Sequence, residues 1–147
     1  MGIATLPTFG YTAKTLPEKL GYKPEMSIVF IALPEELADL PDTCEFAKVA
    51  RRQDWSRPLG PAKFDAIHAF TKSKAELVAG LPKLRKALNP GGMIWVSWPK
   101  RASKIATDLS EDIVRAEALK LDLVDIKVAA IDLTWSGLKL VVRLSHR

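Results

Sequence analysis

Leu88-Asn89-Pro90-Gly91-Gly92-Met93-Ile94-Trp95-Val96-Ser97-Trp98-Pro99 is the stretch that decides the fold. A Leu-rich helical pattern ends at Leu88 and an Asn-Pro-Gly-Gly turn follows. Met93 to Trp98 is then an apolar strand that runs up to a Trp-Pro corner. Helix, tight turn and covered strand, in that order, make one layer of an α/β domain.

The neighbouring segments extend that layer in both directions. Upstream, Phe64 to Phe70 reads as a strand, and Ser73 with Glu76 forms a capping box that opens a helix to Leu88. Leu77, Leu81, Leu84 and Leu88 line one face of that helix, while Gly80 and Pro82 predict a kink or two short helices. Met26 to Leu33 is a continuous apolar run, which suits a strand covered on both faces. Glu45 to Ala50 is a weaker strand candidate, and Pro34 to Ala38 begins a brief helix that stops at Leu40-Pro41. Residues 51–63 form a polar loop around Trp55 that is long for a compact domain, so either mobility or a covered pocket is expected there. Thr15-Leu16-Pro17-Glu18 caps a short helix closed by Gly21. Residues 1–14 read as a loosely held leader, and 15–147 as a single domain.

Downstream, Asp108 with Glu111 opens a last helix whose expected buried stripe is Leu109, Ile113 and Ala116. Val124, Ile126, Val128 and Ala130 alternate on one strand, and Leu138, Leu140, Val142 and Leu144 on another. The short link from Asp132 to Gly137 requires these two strands to pair antiparallel. The expected architecture is a three-layer α/β domain. Its mainly parallel sheet holds 26–33, 64–70 and 93–98, an antiparallel C-terminal pair comprises 124–131 and 138–144, and helices 74–88 and 108–120 cover it.

Composition narrows the function. The 147 residues carry 22 Lys+Arg against 17 Asp+Glu, a formal charge of +5, with 48% hydrophobic residues. The basic residues are scattered, densest at Arg51-Arg52 and Lys100-Arg101, which argues against a nucleic-acid interface. Cys44 stands alone, so no internal disulfide forms, as suits a reducing cytoplasm. With His68 and His146 as the two histidines, no zinc-ligand spacing exists. No segment approaches a membrane span, and the N-terminus matches neither a secretory signal nor the myristoylation pattern. The expected location is the cytoplasm, with no membrane association.

Two segments resemble class I S-adenosylmethionine methyltransferases. Phe64-Asp65-Ala66-Ile67-His68-Ala69-Phe70 is similar to that family's fourth strand, and Leu88-Asn89-Pro90-Gly91-Gly92 to the turn into its fifth. The resemblance implies a methyltransferase-like, Rossmann-like fold. A wider resemblance, over most of residues 10–143, is to a bacterial family of short, functionally uncharacterised Rossmann-like proteins. It is carried by Lys19-Leu20-Gly21-Tyr22-Lys23-Pro24, by Trp98-Pro99-Lys100 with Ser103 and Thr107-Asp108-Leu109, and by Ile131 to Lys139. It implies one small domain and no particular activity.

The methyltransferase pattern breaks at the first strand. That family places a Gly-rich turn there, which lets the backbone approach the cofactor. This chain has Ala32-Leu33-Pro34-Glu35-Glu36 instead, with no Gly between Gly21 and Gly60. Pro34 lacks an N–H, and Glu35 and Glu36 repel an anion from the following turn. The expected cofactor is therefore none. The expected role is a non-catalytic module that binds a small ligand, a protein partner or a second copy of itself, with no catalytic residue assigned. The alternative is a methyltransferase that takes adenosylmethionine through a remodelled pocket.

The carboxyl ends of the central strands are the expected ligand edge. There Trp98-Pro99-Lys100-Arg101-Ala102-Ser103-Lys104, with Lys72, offers a ring beside cations that suits an anionic small molecule; a solvated loop capped by a core Trp98 is the bland reading. Asp132, Trp135, Ser136 and Lys139 have the variety of a site, but Asp, Thr, Ser and Gly also meet the needs of a hairpin turn. His68, mid-strand, reads as a hydrogen-bonded, partly buried side chain rather than a base, and Cys44 lacks the surroundings of a reactive thiolate.

Overall fold

A computed structural model describes residues 14–60 and 63–146; the leader, Lys14 apart, falls outside them. Its elements are α1 (Leu16–Leu20), β1 (Ser27–Ile31), β2 (Lys48–Arg52), β3 (Phe64–Phe70), α2 (Lys74–Ala87), β4 (Leu88–Pro99), α3 (Glu111–Leu119), β5 (Leu123–Ala130) and β6 (Trp135–Val142). The strands form one sheet in the order β2-β1-β3-β4-β6-β5. The first three pairings are parallel, while β4 with β6 and β6 with β5 are antiparallel. The expected mixed α/β sheet, with its antiparallel C-terminal pair, is what the chain builds.

Two apolar clusters sandwich the sheet. The larger packs α2 and α3 against Val29, Ile67, Ile94 and Val96, and the other holds α1, Phe30, Phe70 and Trp95. The caps that hold α1 are those read in the sequence. Thr15 and Glu18 cap each other's backbone N–H, and Gly21 takes φ 76°, where a Cβ would be strained.

Several boundaries differ from expectation. The Gly pair is not a turn ahead of β4 but an irregularity within it: Phe64 pairs with Leu88, and the next register pair is Ala66 with Met93. A Cβ at Gly92 would lie 2.6 Å from the Asp65 carbonyl oxygen, so only glycine fits. Asp65 itself clamps two amino ends, accepting from the Ser27 N–H and from Asn89 Nδ2, both at 2.9 Å. The second strand begins at Lys48, not Glu45.

Helix α2 is continuous across Gly80 and Pro82. Pro82 orphans only the carbonyl of Val78, an exposed residue whose carbonyl water can serve. Gly80 makes room for Trp55: a Cβ there would lie 2.5 Å from Trp55 Cε3. The Trp55 ring is buried and its Nε1 donates to the Phe70 carbonyl at 2.7 Å. The loop after β2 is thus pinned to the core by an indole that fills the space where a crossover helix would pack.

Helix α3 is capped by Ser110, whose hydroxyl accepts from the Ile113 N–H, while Asp108 instead accepts from the Lys74 N–H at α2's start. Leu109 is buried and Ile113 packs half-buried on the main core, as expected, but Ala116 is exposed, and Val114 and Ala118 complete the buried stripe. A bulge between Asp125 and Lys127 likewise breaks the expected alternation in β5 and leaves Ile126 and Val128 exposed. Leu144 lies beyond β6 and is exposed.

Filling the Trp55 notch should be costly. Gly80→Ala is expected to destabilise the fold by about 1–3 kcal/mol through overpacking, although alanine is the better helix former. A urea melt that showed a gain in stability would mean Trp55 is not seated against α2.

Candidate functional site

The parallel order reverses at β1: the chain leaves β1 for β2 on one side and returns to β3 on the other. Ligands of open α/β sheets bind at such a switch point, outside the carboxyl ends of the strands. A crevice of about 550 Å³ opens there, lined by Ala32, Pro34, Glu36, Phe70, Thr71 and Lys72, with Trp135 and Ile105 across from them. That volume is within the range of small-molecule sites.

Each wall has a local cause. Strand β1 exits through Ala32 at φ 57°, the left-handed region that usually takes glycine. The chain therefore makes a left-handed turn at the point where the sequence lacks glycine, and its N–H bonds the Arg52 carbonyl at 2.9 Å. The Ala32 side chain lines the crevice, so part of the space that glycine would leave open is filled. A turn of 3₁₀ helix over Glu35–Leu37 then brings Glu36 to the rim. Trp135 Nε1 donates to Glu36 Oε2 at 3.0 Å, and this indole bond holds the Glu36 carboxyl below the usual range. Opposite, Thr71 Oγ1 donates to Glu76 Oε1 at 2.5 Å and accepts from the Ser73 N–H. The far half of the expected capping box is thus diverted: Ser73 caps Glu76, but Glu76 turns to Thr71.

The sequence candidates divide among several places. Lys72 and Trp135 reach the crevice. Trp98, Lys100, Lys104 and Ser136 line a second cleft of about 490 Å³ on the α3 side, and Ile105 separates the two. Trp98 edges that cleft but is buried in the main core, 6% exposed. Ser103 serves its own turn, donating to the Lys100 carbonyl and accepting from the Ile105 N–H. Asp132 caps the hairpin, accepting from the N–H groups of Thr134 and Trp135, which is the turn role weighed in the sequence. Lys139 stands opposite Trp95 in mid-sheet, lines a cleft at the amino end, and does not flank the ligand edge. The single edge expected to gather Lys72, Lys100 and Lys104 around an anion is therefore two clefts, the first carrying Glu36 and Glu76 beside Lys72.

Sequence reasoning singled out Ala32 as the residue in place of glycine but not its backbone conformation, and it passed over Phe70 and Ile105 as lining residues. Nothing in an alanine's identity signals a positive φ. Glu36 and Glu76 were visible, but as a repulsive pair member and a cap. His68 is fully rather than partly buried, with Tyr22 Oη at 2.6 Å from Nδ1 and Ser97 Oγ at 2.8 Å from Nε2. Burial pushes its pKa down from 6.5 to about 3, and pushes the Tyr22 phenol up. Among the described residues no group of His, Cys, Asp and Glu could hold a metal, and no helix is long and apolar enough to cross a membrane.

Comparison with known proteins places the fold. No protein-family profile matches the sequence, and no curated protein sequence is similar to it. The structure is similar to an S-adenosylmethionine-dependent methyltransferase from Clostridium acetobutylicum, with TM-score 0.60, 8% identity, and 80% of this chain and 83% of that one covered. It is also similar to the N-methyltransferase NodS from Bradyrhizobium japonicum, with TM-score 0.59, 12% identity, and 87% and 92% covered. A third match is the magnesium protoporphyrin IX methyltransferase from Synechocystis with bound SAH, with TM-score 0.58, 13% identity, and 81% and 74% covered. The chain has a methyltransferase-like Rossmann fold.

Two measurements test these placements. Trp98→Ala should cost about 3–5 kcal/mol, the loss typical of a truncated core aromatic; a loss below about 1 kcal/mol would return Trp98 to a pocket wall. His68 predicts an acid limb. The unfolded chain takes up the proton near pH 6.5 and the folded one only near 3, so stability is full above 6.5 and falls as pH drops between those values. The slope is roughly 1.4 kcal/mol per pH unit from this group. Urea melts at pH 7 and pH 5 should show that loss, and His68→Gln should flatten it; an unchanged slope would mean the imidazole is not held neutral.

Proposed function

We propose that the switch-point crevice binds an S-adenosylmethionine-type ligand, making the chain a small methyltransferase-type domain with a remodelled cofactor turn. The observation that carries this is the left-handed turn at Ala32 opening onto a crevice of about 550 Å³ between β1 and β3. The structural likeness to methyltransferases, one of them with bound SAH, supports the same reading. The residues fit such a group. The crevice has room for a nucleoside, Phe70 and Trp135 give it apolar walls, and the carboxylates of Glu36 and Glu76 suit a ligand with a cationic centre.

Adenosylmethionine, when bound, supplies an electrophilic methyl group. The chain's own part is positional. Glu36, fixed and kept ionised by the Trp135 indole, favours positive charge at the rim. Thr71 and Glu76 brace each other beneath Lys72, and Ile105 divides this crevice from the cleft that carries Lys100, Arg101 and Lys104. That second cleft is the place for an anionic small molecule as acceptor. The resemblance to the short bacterial Rossmann-like family belongs to this reading and rests on the sequence segments alone, and a cytoplasmic location goes with it on the strength of the lone Cys44.

A second reading, ligand binding without transfer, is favoured by one observation: the His68 imidazole, a side chain suited to act as a neutral base, is sealed in the core and lines neither cleft.

Calorimetric titration with adenosylmethionine and adenosylhomocysteine is the test. Micromolar binding of both is expected. Glu36→Gln, which keeps an acceptor for Trp135, should weaken adenosylmethionine about fivefold more than adenosylhomocysteine, because only the former carries a sulfonium charge. No binding at millimolar ligand would overturn the proposal. Equal binding without release of adenosylhomocysteine from any offered anionic acceptor would favour the second reading.

A further inference from the structure

Lys139 is left over by the functional reading, and its surroundings are unusual. It projects from mid-β6, directly opposite Lys127 of β5 in the antiparallel ladder. Residues opposite one another share a face, and like charges in that position destabilise a sheet. Lys23, from the link between α1 and β1, lines the same small cleft of about 210 Å³ as Lys139, together with Gly21, Gly92 and Met93. Lys127 Nζ is turned to the Lys19 carbonyl at 2.7 Å, which satisfies a donor but does not neutralise its charge.

No carboxylate forms an ion pair with these three lysines among the described residues. Among the described residues the ion pairs are those of Arg115 and of Lys120 with Glu117. Asp65 lines the cleft, and its two oxygens accept from the Ser27 N–H and from Asn89, neutral donors that leave its single negative charge in place. Lys139 is half-buried, and burial together with Lys127 and Lys23 holds its pKa below the ordinary value. Lys139 and Lys23 line the cleft and Lys127 stands opposite Lys139, so three cations face the one carboxylate of Asp65, and the excess leaves a net attraction for an anion.

We infer that Lys139, Lys127 and Lys23 form an oxyanion site at the amino end of the sheet, of a size for a phosphate group, free or as the end of a phosphomonoester. It lies at the opposite end of the strands from the switch-point crevice and does not depend on what that crevice binds. The lysines act as point charges on the oxygens, and the absent side chain of Gly21 matters: a Cβ there would sit 3.2 Å from Lys139 Nζ.

Thermal melts in sodium phosphate against sodium chloride of equal ionic strength test the site, with ³¹P line broadening as a direct measure of binding. Phosphate at tens of millimolar should raise the midpoint by about 3 °C beyond chloride, and saturably. Lys139→Met should raise the midpoint in chloride, because a repulsive charge is removed, and should abolish the extra phosphate response. Lys139→Arg should keep that response. Phenyl phosphate in place of phosphate separates the sources: equal affinity points to the free anion, tighter binding to a phosphomonoester. Identical melts in the two salts, a phosphate resonance unchanged by the wild-type protein, or a full response in Lys139→Met would each overturn the site. Should Lys139→Met fail to fold, Lys127→Gln and the ³¹P measurement decide by the same criteria.

Discussion

An imidazole sealed inside the second core must find a partner for both ring nitrogens, since an unpaired polar atom there costs about 1–3 kcal/mol. His68 meets that requirement with Tyr22 on one side and Ser97 on the other. Tyr22 follows α1, His68 is in β3 and Ser97 is in β4, so one side chain holds three elements in register. Trp95 adds a second tether to the same helix by donating to the Leu20 carbonyl at 2.7 Å. The ring also stacks on Phe70, with centroids 4.4 Å apart, and Phe70 in turn meets Trp135 edge-on at 5.3 Å. Trp135 reaches Glu36. The wall of the crevice is thus the outer end of a packed series that begins at a neutral histidine in the core.

The crevice owes its openness to what the first half of the chain omits. Between β1 and β2 the chain makes only short 3₁₀ turns, and between β2 and β3 it runs as a loop. Parallel crossovers usually carry helices that cover the sheet and close it off. Here Trp55 supplies the missing cover on the α2 face with a single indole. On the other face α1 and the side chains of Leu37 and Leu40 do the same. Compact cover of this kind keeps the carboxyl ends of β1 and β3 accessible, at the place in the parallel part of the sheet where the strand order reverses.

Legibility in the sequence followed the range of the interactions. Signals confined to four residues were read correctly: the Thr15–Glu18 box, the Gly21 cap, the Ser73 cap and the antiparallel hairpin closed by Asp132. Continuous apolar runs placed β1, β3 and the core of β4. Features set by distant partners were lost. Gly80 looked like a break because nothing local discloses that Trp55 packs against it. The start of α3 was misread because Ser110 caps it, while Asp108 is drawn to α2. The β5 bulge rotated Ile126 and Val128 outward, and Lys139 was grouped with a hairpin it stands behind. At the site itself, Lys72 and Trp135 were legible as polar and aromatic residues near strand ends, whereas Glu36 reached the crevice only through the fold.

Ala32 illustrates why absence of a motif and absence of a conformation are different statements. Glycine is the usual occupant of a left-handed turn because its lack of Cβ removes a cost of about 1–2 kcal/mol. An alanine can be held there when the neighbours overdetermine the backbone. They do so here: Ile31 is paired on both sides, to Arg52 and to Ala69, and the Ala32 N–H is fixed on Arg52. The strand end has no freedom to leave by another route. The turn therefore persists without the residue that usually marks it, and what changes is the floor of the crevice, which gains a methyl group and loses one N–H at Pro34. A ligand there must be held by side chains, Glu36, Thr71 and Lys72 among them, rather than by a glycine-rich backbone cradle.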